Sequence, residues 1–178
     1  MEKFDILNQY GEFTGQTATR EECHEKGLWH RAVYAFIIDD NGNILLQKRS
    51  STKKLWPDLW DVPVGGHVDS GEFGRQALIR ETKEELGIQI SDDDIKYLVG
   101  STSINEQGNI INKHYNECYL ITKNVDICDI TVQKEEVADI KYFSKNEILE
   151  RINNNYEGLT GKIGAWNFLK VILEKYNI

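Results

Sequence analysis

Arg31-Ala-Val-Tyr-Ala-Phe-Ile-Ile38 is a run of apolar, β-branched and aromatic residues. Asn43-Ile-Leu-Leu-Gln-Lys-Arg49 follows it after the turn-forming Asp39-Asp-Asn-Gly42, and the pair predicts a β-hairpin. Phe4 to Leu7 and Gly15 to Thr17 suggest a smaller hairpin around Asn8-Gln-Tyr-Gly11. Thr19-Arg-Glu-Glu22 has the form of a capping box, with Gly27 placed to stop the short helix it starts. Residues 72–86 show helical periodicity up to Gly87. Between them, Ser50 to Pro63 is loop-like, and Gly65-Gly66 are expected to break any strand begun at Trp60. Further strands are expected near 95–104, 114–122 and 136–143, and a short helix near 144–152. The final segment, Gly164 to Tyr176, carries Trp166, Leu169, Val171, Ile172 and Leu173 and reads as a docking helix. This irregular alternation predicts an α/β or α+β class with a mixed sheet.

Length and charge restrict the partners. A chain of 178 residues suits one domain and buries roughly 70% of its unfolded surface, so it needs no disulfide or metal to fold. Residues 1–178 are read as one domain, with 1–27 as an N-terminal extension. The net charge of −8 argues against a nucleic acid or an anionic membrane as partner. No apolar run approaches the roughly 18 residues of a membrane span, and Met1-Glu-Lys-Phe-Asp-Ile has no signal-peptide core. Cys23, Cys118 and Cys128 are odd in number and lack zinc-ligand spacing, which suggests reduced thiols and a cytoplasmic location.

On a helical wheel at about 100° per residue, Leu78, Ile79, Thr82 and Leu86 share one arc that can face a core. Glu81, Glu84 and Glu85 share another arc, on adjacent turns near the helix C-terminus. Each like-charge neighbour costs about 0.2–0.5 kcal/mol, and the macrodipole adds to the cost. Alone, three such glutamates describe a solvated acidic face. A divalent cation would reverse the sign of both terms, and all-oxygen ligands suit Mg²⁺ or Mn²⁺.

The surrounding residues favour the cation. Gly66, Glu72, Arg80, Glu81, Glu84, Glu85, Gly87 and Ile88 stand at the spacings of the Nudix box, which this stretch resembles; Thr82 occupies a position that is usually aliphatic. The resemblance covers 23 residues. It implies an α/β/α sandwich with a mixed β-sheet and a catalytic loop-helix-loop. It further implies a hydrolase of nucleoside diphosphate derivatives or similar small organic diphosphates. The matches to Glu81, Glu84 and Glu85 would bind metal, and the match to Arg80, paired with that of Glu72, would orient them. Family analogy also suggests a homodimer. Basic groups must hold the remaining diphosphate oxygens. Arg49 and Lys53 are the favoured candidates, ahead of Lys48 and Lys54, with Trp60 as a pocket wall beside Trp56 and Gly66 at the backbone approach. Glu135 and Glu136 offer a further ligand or base.

Outside the box, His30-Arg-Ala, Leu45-Leu-Gln-Lys-Arg49, Lys53-Lys-Leu-Trp-Pro57, Trp60 and Gly66-His67 look like the isopentenyl diphosphate isomerase branch. In that branch histidines and glutamates hold a metal. By context His30 and His67 match two of the histidines; His24 and Glu117 lie within one residue of further matches. The isomerases carry a proton-transferring cysteine where this chain has Gly65, and they lack the full hydrolase carboxylate set present here. Hydrolysis is therefore expected over isomerisation. A third reading, a non-catalytic ligand-binding module, would be accompanied by a damaged box or a DNA-binding segment, and neither is seen.

Overall fold

A computed structural model describes residues 2–175. Among the described residues, nine strands and four α-helices are arranged around two sheets. β1 (Lys3–Leu7) and β2 (Phe13–Thr19) form the expected N-terminal hairpin. Thr19 then caps α1 (Arg20–Lys26): its hydroxyl accepts from the Glu22 N–H, and the Glu22 carboxylate accepts from the Thr19 N–H. Gly27 ends the helix at φ 60°, a left-handed conformation that costs glycine little.

β3 (Trp29–Ile37) organises the larger sheet. One edge pairs antiparallel with β6 (Val64–His67) and, at Leu7–Trp29, with β1. The other pairs parallel with β8 (Ile110–Ile121), itself antiparallel to β7 (Ile95–Gln107). The sheet is mixed, as expected. The smaller sheet is antiparallel, with β4 (Ile44–Arg49) between β5 (Trp60–Asp61) and β9 (Val137–Phe143).

Two expectations need correction. The Asp39–Gly42 turn forms, with Asp39 accepting from the Asn41 and Asn43 N–H groups, but its flanking strands are not a hairpin. Only an isolated Ile38–Ile44 bridge joins them before β3 and β4 part into different sheets. Burial explains this. Leu45 packs with Val33, Ala35 and Ile37 under α2, whereas Ile44 and Leu46 pack with Phe36, Phe143 and Trp166 on the other side. A strand buried on both faces satisfies itself best between two partners of its own. The strand begun at Trp60 does stop, at Asp61, but the break is at Val62-Pro63, and Gly65-Gly66 lie inside β6.

α2 (Gly74–Leu86) covers one face of the larger sheet, and its Ala77, Leu78, Thr82 and Leu86 are buried. Thr82, where an aliphatic residue is usual, satisfies its hydroxyl by donating to the Leu78 carbonyl at 2.7 Å. α3 (Lys145–Asn153) and α4 (Ile163–Lys175) build the core between the sheets' other faces, centred on fully buried Trp166. Of the expected C-terminal helix, Tyr176 lies outside the described residues.

Candidate active site

The apolar stripe of α2 docks against β6 and β3, which turns its acidic arc toward the Gly65-Gly66 backbone. Arg80 is the hub of this edge. Its Nη2 and Nε reach the Glu72 carboxylate at 2.9 and 3.2 Å, and Nη2 also donates to the His67 carbonyl at 3.0 Å. Its Nη1 donates to Glu81 Oε1 at 2.7 Å and to the more exposed Glu84 at 3.4 Å. Glu72 is fixed in turn by the Asp69 N–H at 3.1 Å. The guanidinium fork thus ties the loop before α2 to two turns of the helix. These charge-assisted bonds push the Arg80 pKa still higher.

Glu81 and Glu85 press against β6. A Cβ on Gly66 would overlap the Glu81 carboxylate, so only glycine lets this side chain lie on the strand. Glu85 Oε2 accepts from the Gly65 N–H at 3.1 Å. Burial, reinforced by the Glu81 charge, pushes the Glu85 carboxyl up to about 8. Burial also raises Glu81, against the pull of Arg80. Two carboxylates shielded from water, both with raised pKa despite the nearby Arg80 and Lys162 charges, form a site that favours added positive charge. Their donor set, oxygen throughout, fits Mg²⁺ or Mn²⁺.

Other expected residues lie elsewhere. Arg49 Nη1 pairs with buried Asp61 at 3.3 Å and its Nε donates to the Leu55 carbonyl at 2.9 Å, so it braces the β4–β5 loop. Lys53 pairs with Glu136. Trp60 stacks edge-on against Phe143, with centroids 4.7 Å apart, and belongs to the core around α3 and α4. Trp56 instead lines a cleft of about 310 Å³ with Leu55, Asn105, Glu106, Ile110 and Asn112. Of the four expected substrate contacts, only Gly66 adjoins the carboxylates.

His30 and His67 do meet, with His24 and His114 beside them: ligand atoms of all four lie within 4.8 Å of one another. Glu117 does not join them. His30 pairs with His114 across β3–β8 and Val33 with Glu117, so strand parity puts Glu117 on the α2 face. There it accepts from the Tyr119 hydroxyl and lies against Gly74.

Sequence reasoning missed Lys162. Its Nζ lies 3.6 Å from where a Gly65 Cβ would stand and 2.9 Å from Asp61 Oδ2, and its charge acts on Glu85. The local signal was faint: a lysine beside Gly161 at the entrance to α4.

An arginine-braced carboxylate helix beside a glycine strand, on a mixed sheet, fits the class of phosphoanhydride hydrolases. The NUDIX domain family profile matches residues 28–160, and the chain belongs to that family of hydrolases acting on phosphorus-containing anhydrides. It is similar to Nudix hydrolases of Listeria monocytogenes (38% identical over 149 residues, 83% of each chain) and Listeria innocua (36% over 177 residues, 99% of this chain and 96% of the relative). The crystal structure of DR0079 from Deinococcus radiodurans shares the fold at a TM-score of 0.70, covering 93% of this chain and 98% of that one at 21% identity. Members of the family generally require divalent metal ions and act on small molecules.

Proposed function

We propose that this chain hydrolyses a diphosphate linkage in a nucleoside diphosphate derivative or similar organic diphosphate, with Mg²⁺ or Mn²⁺ held by Glu81, Glu84 and Glu85. The observation that carries this reading is the pairing of Glu85 with the Gly65 N–H beside an Arg80 that grips Glu72 and Glu81. The bound metal supplies charge neutralisation of the diphosphate and a more acidic water. Arg80 holds the carboxylates in place against their mutual repulsion. Gly65 anchors one oxygen of Glu85 and orients the other. Lys162, beside Gly65, is the cation best placed for a substrate oxygen, in preference to Arg49 and Lys53. In this reading residues 1–178 act as one cytoplasmic domain. No helix among the described residues is long and apolar enough to cross a membrane.

The wider resemblance to the isomerase branch is taken as one of scaffold. Gly65 has no proton to transfer. Cys118 lies across β3 from it with Tyr34 between, about 10 Å away by two strand spacings. The Cys118 thiol is buried and pushed up to about 12. The deciding experiment is a screen of nucleoside diphosphate derivatives, dinucleotides, sugar nucleotides and prenyl diphosphates. Turnover is expected with Mg²⁺ or Mn²⁺, none in EDTA, and no conversion of isopentenyl to dimethylallyl diphosphate. Undiminished hydrolysis in EDTA after exhaustive dialysis sinks the metal reading, and isomer formation at enzymatic rates sinks the assignment to hydrolysis.

A further inference from the structure

The loop between β4 and β5 faces the β7–β8 hairpin across the cleft of about 310 Å³. Leu55 and Trp56 come from the loop, and Asn105, Glu106, Ile110 and Asn112 from the two strands. The volume falls in the range of small-molecule sites. We propose that this cleft receives the organic half of the substrate, and that this half is a flat nitrogen heterocycle bearing an exocyclic amino group, stacked on Trp56 and bonded at its amino edge by Asn112. The proposal rests on the hydrolase reading for the other half, the diphosphate.

Asn112 carries the polar argument. It is only 8% exposed, and its Oδ1 is buried with no hydrogen-bond partner among the described residues. Buried amide oxygens are normally satisfied, so an unpartnered one in the wall of a cleft calls for a donor from outside the chain. The last side-chain torsion of asparagine is soft, so a small turn of the amide presents this oxygen to a ligand. Asn105 pairs with Asn112 across β7–β8 and lines the same cleft. Glu106, next to it, only accepts when ionised. No lysine or arginine lines the cleft. Its polar wall therefore suits N–H groups and rejects a phosphate.

Trp56 carries the apolar argument. Its φ of 50° lies in the left-handed region, which a bulky residue rarely adopts. Such a conformation persists only where the surroundings hold it, and it is common at ligand clamps. Here the surroundings are specific. Arg49 Nε donates to the Leu55 carbonyl at 2.9 Å, and the Asp58 N–H donates to the Arg49 carbonyl at 3.2 Å. The indole itself rests on Gly161, where a Cβ would stand 2.9 Å from its Nε1. A half-buried indole flanked by Leu55 and Ile110 offers a surface on which a flat ring can stack.

The cleft is tied to the carboxylate site. Gly161 is followed by Lys162, whose Nζ lies beside Gly65, and the Gly65 N–H holds Glu85. Asp61, fully buried, accepts from Arg49 at 3.3 Å and from Lys162 at 2.9 Å. One carboxylate thus fixes both the loop that displays Trp56 and the cation next to Glu85. A ring in the cleft and a phosphate at Lys162 become the two ends of one substrate. A prenyl chain could cover the indole, but it would leave Asn112 unpaired and lie against Glu106.

The test measures binding of free nucleosides to the full chain in EDTA, by calorimetry and ligand-observed NMR, so that it needs neither metal nor turnover. At least one amino nucleoside should bind tenfold or more tighter than its oxo counterpart: cytidine over uridine, or adenosine over inosine. Trp56→Ala should weaken that binding about tenfold or more, the scale of one lost base–aromatic stack, whereas Trp56→Phe should retain most of it. Asn112→Leu should abolish the preference for the amino ring. Glu106→Gln, at an exposed position, should weaken amino-nucleoside binding without threatening the fold. Equal binding of the amino and oxo members of both pairs overturns the amino-edge selection. No nucleoside binding by the wild-type chain, or binding untouched in Trp56→Ala and Asn112→Leu, overturns the cleft as the ring site even if diphosphates are hydrolysed. Amino-selective binding lost in those variants upholds the cleft even if no diphosphate is turned over, an outcome that would sink the hydrolase reading alone.

Discussion

Glu85 is the residue on which the proposed chemistry can be tested most directly. Glu85→Gln keeps the shape and removes the charge, so kcat should fall by on the order of 10² or more. Lys83→Gln, on the exposed side of α2, should leave activity nearly unchanged. Equal loss in both variants would show that the catalytic face is misplaced. In the metal-free protein the raised Glu85 carboxyl has a definite pH signature. Between its ordinary value of 4.5 and about 8 the folded state binds more protons than the unfolded state, so wild-type stability falls as pH rises through that window. The stability advantage of Glu85→Gln should therefore be small near pH 4.5 and grow up to pH 8. It should reach on the order of 1 kcal/mol, below the full value of the shift because the carboxylate still meets solvent. Thermal melts in EDTA across that range measure it. Gly66→Ala should lower activity at least tenfold while the chain still folds, because the new methyl displaces Glu81; an active Gly66→Ala protein would deny that the carboxylate needs this strand surface.

The elements vary in how much they depend on tertiary contact. α1 has only seven residues and cannot stand by its propensity, so its capping box matters. Thr19→Ala should cost about 1 kcal/mol, read as a shift in the denaturation midpoint. α2 is held differently. Its apolar stripe docks it, and Arg80 ties its acidic face to Glu72 in the preceding loop. β3 and β4 show the limit of local signals. Their turn residues form the expected turn, but apolar side chains on both faces of β4 draw it to β5 and β9.

For the whole molecule, burial determines which reactive groups can meet a reagent. Cys23 and Cys118 are buried, with thiols pushed up to about 11 and about 12, while Cys128 is exposed. A thiol reagent at pH 8 should modify one cysteine in the folded chain and three in denaturant, and rapid modification of all three in native buffer would contradict the packing of both cores.

The sequence alone determined whatever is encoded at short range. The helical spacing of Glu81, Glu84 and Glu85, the Thr19 cap and the stops at Gly27 and Gly87 are each set within one or two turns, so the order of the residues is enough to reveal them. The family followed from the same short stretch, because its chemistry requires fixed offsets along one helix. Only the tertiary structure decided what meets across elements. It paired Arg49 with Asp61 and Lys53 with Glu136, and it set Lys162 beside Gly65 from nearly a hundred residues away. It turned Glu117 to the α2 face by the parity of β8 and brought His114 to His24, His30 and His67. These outcomes depend on strand register and on which face each strand buries. Both are fixed by packing over the whole chain, and no local spacing records them.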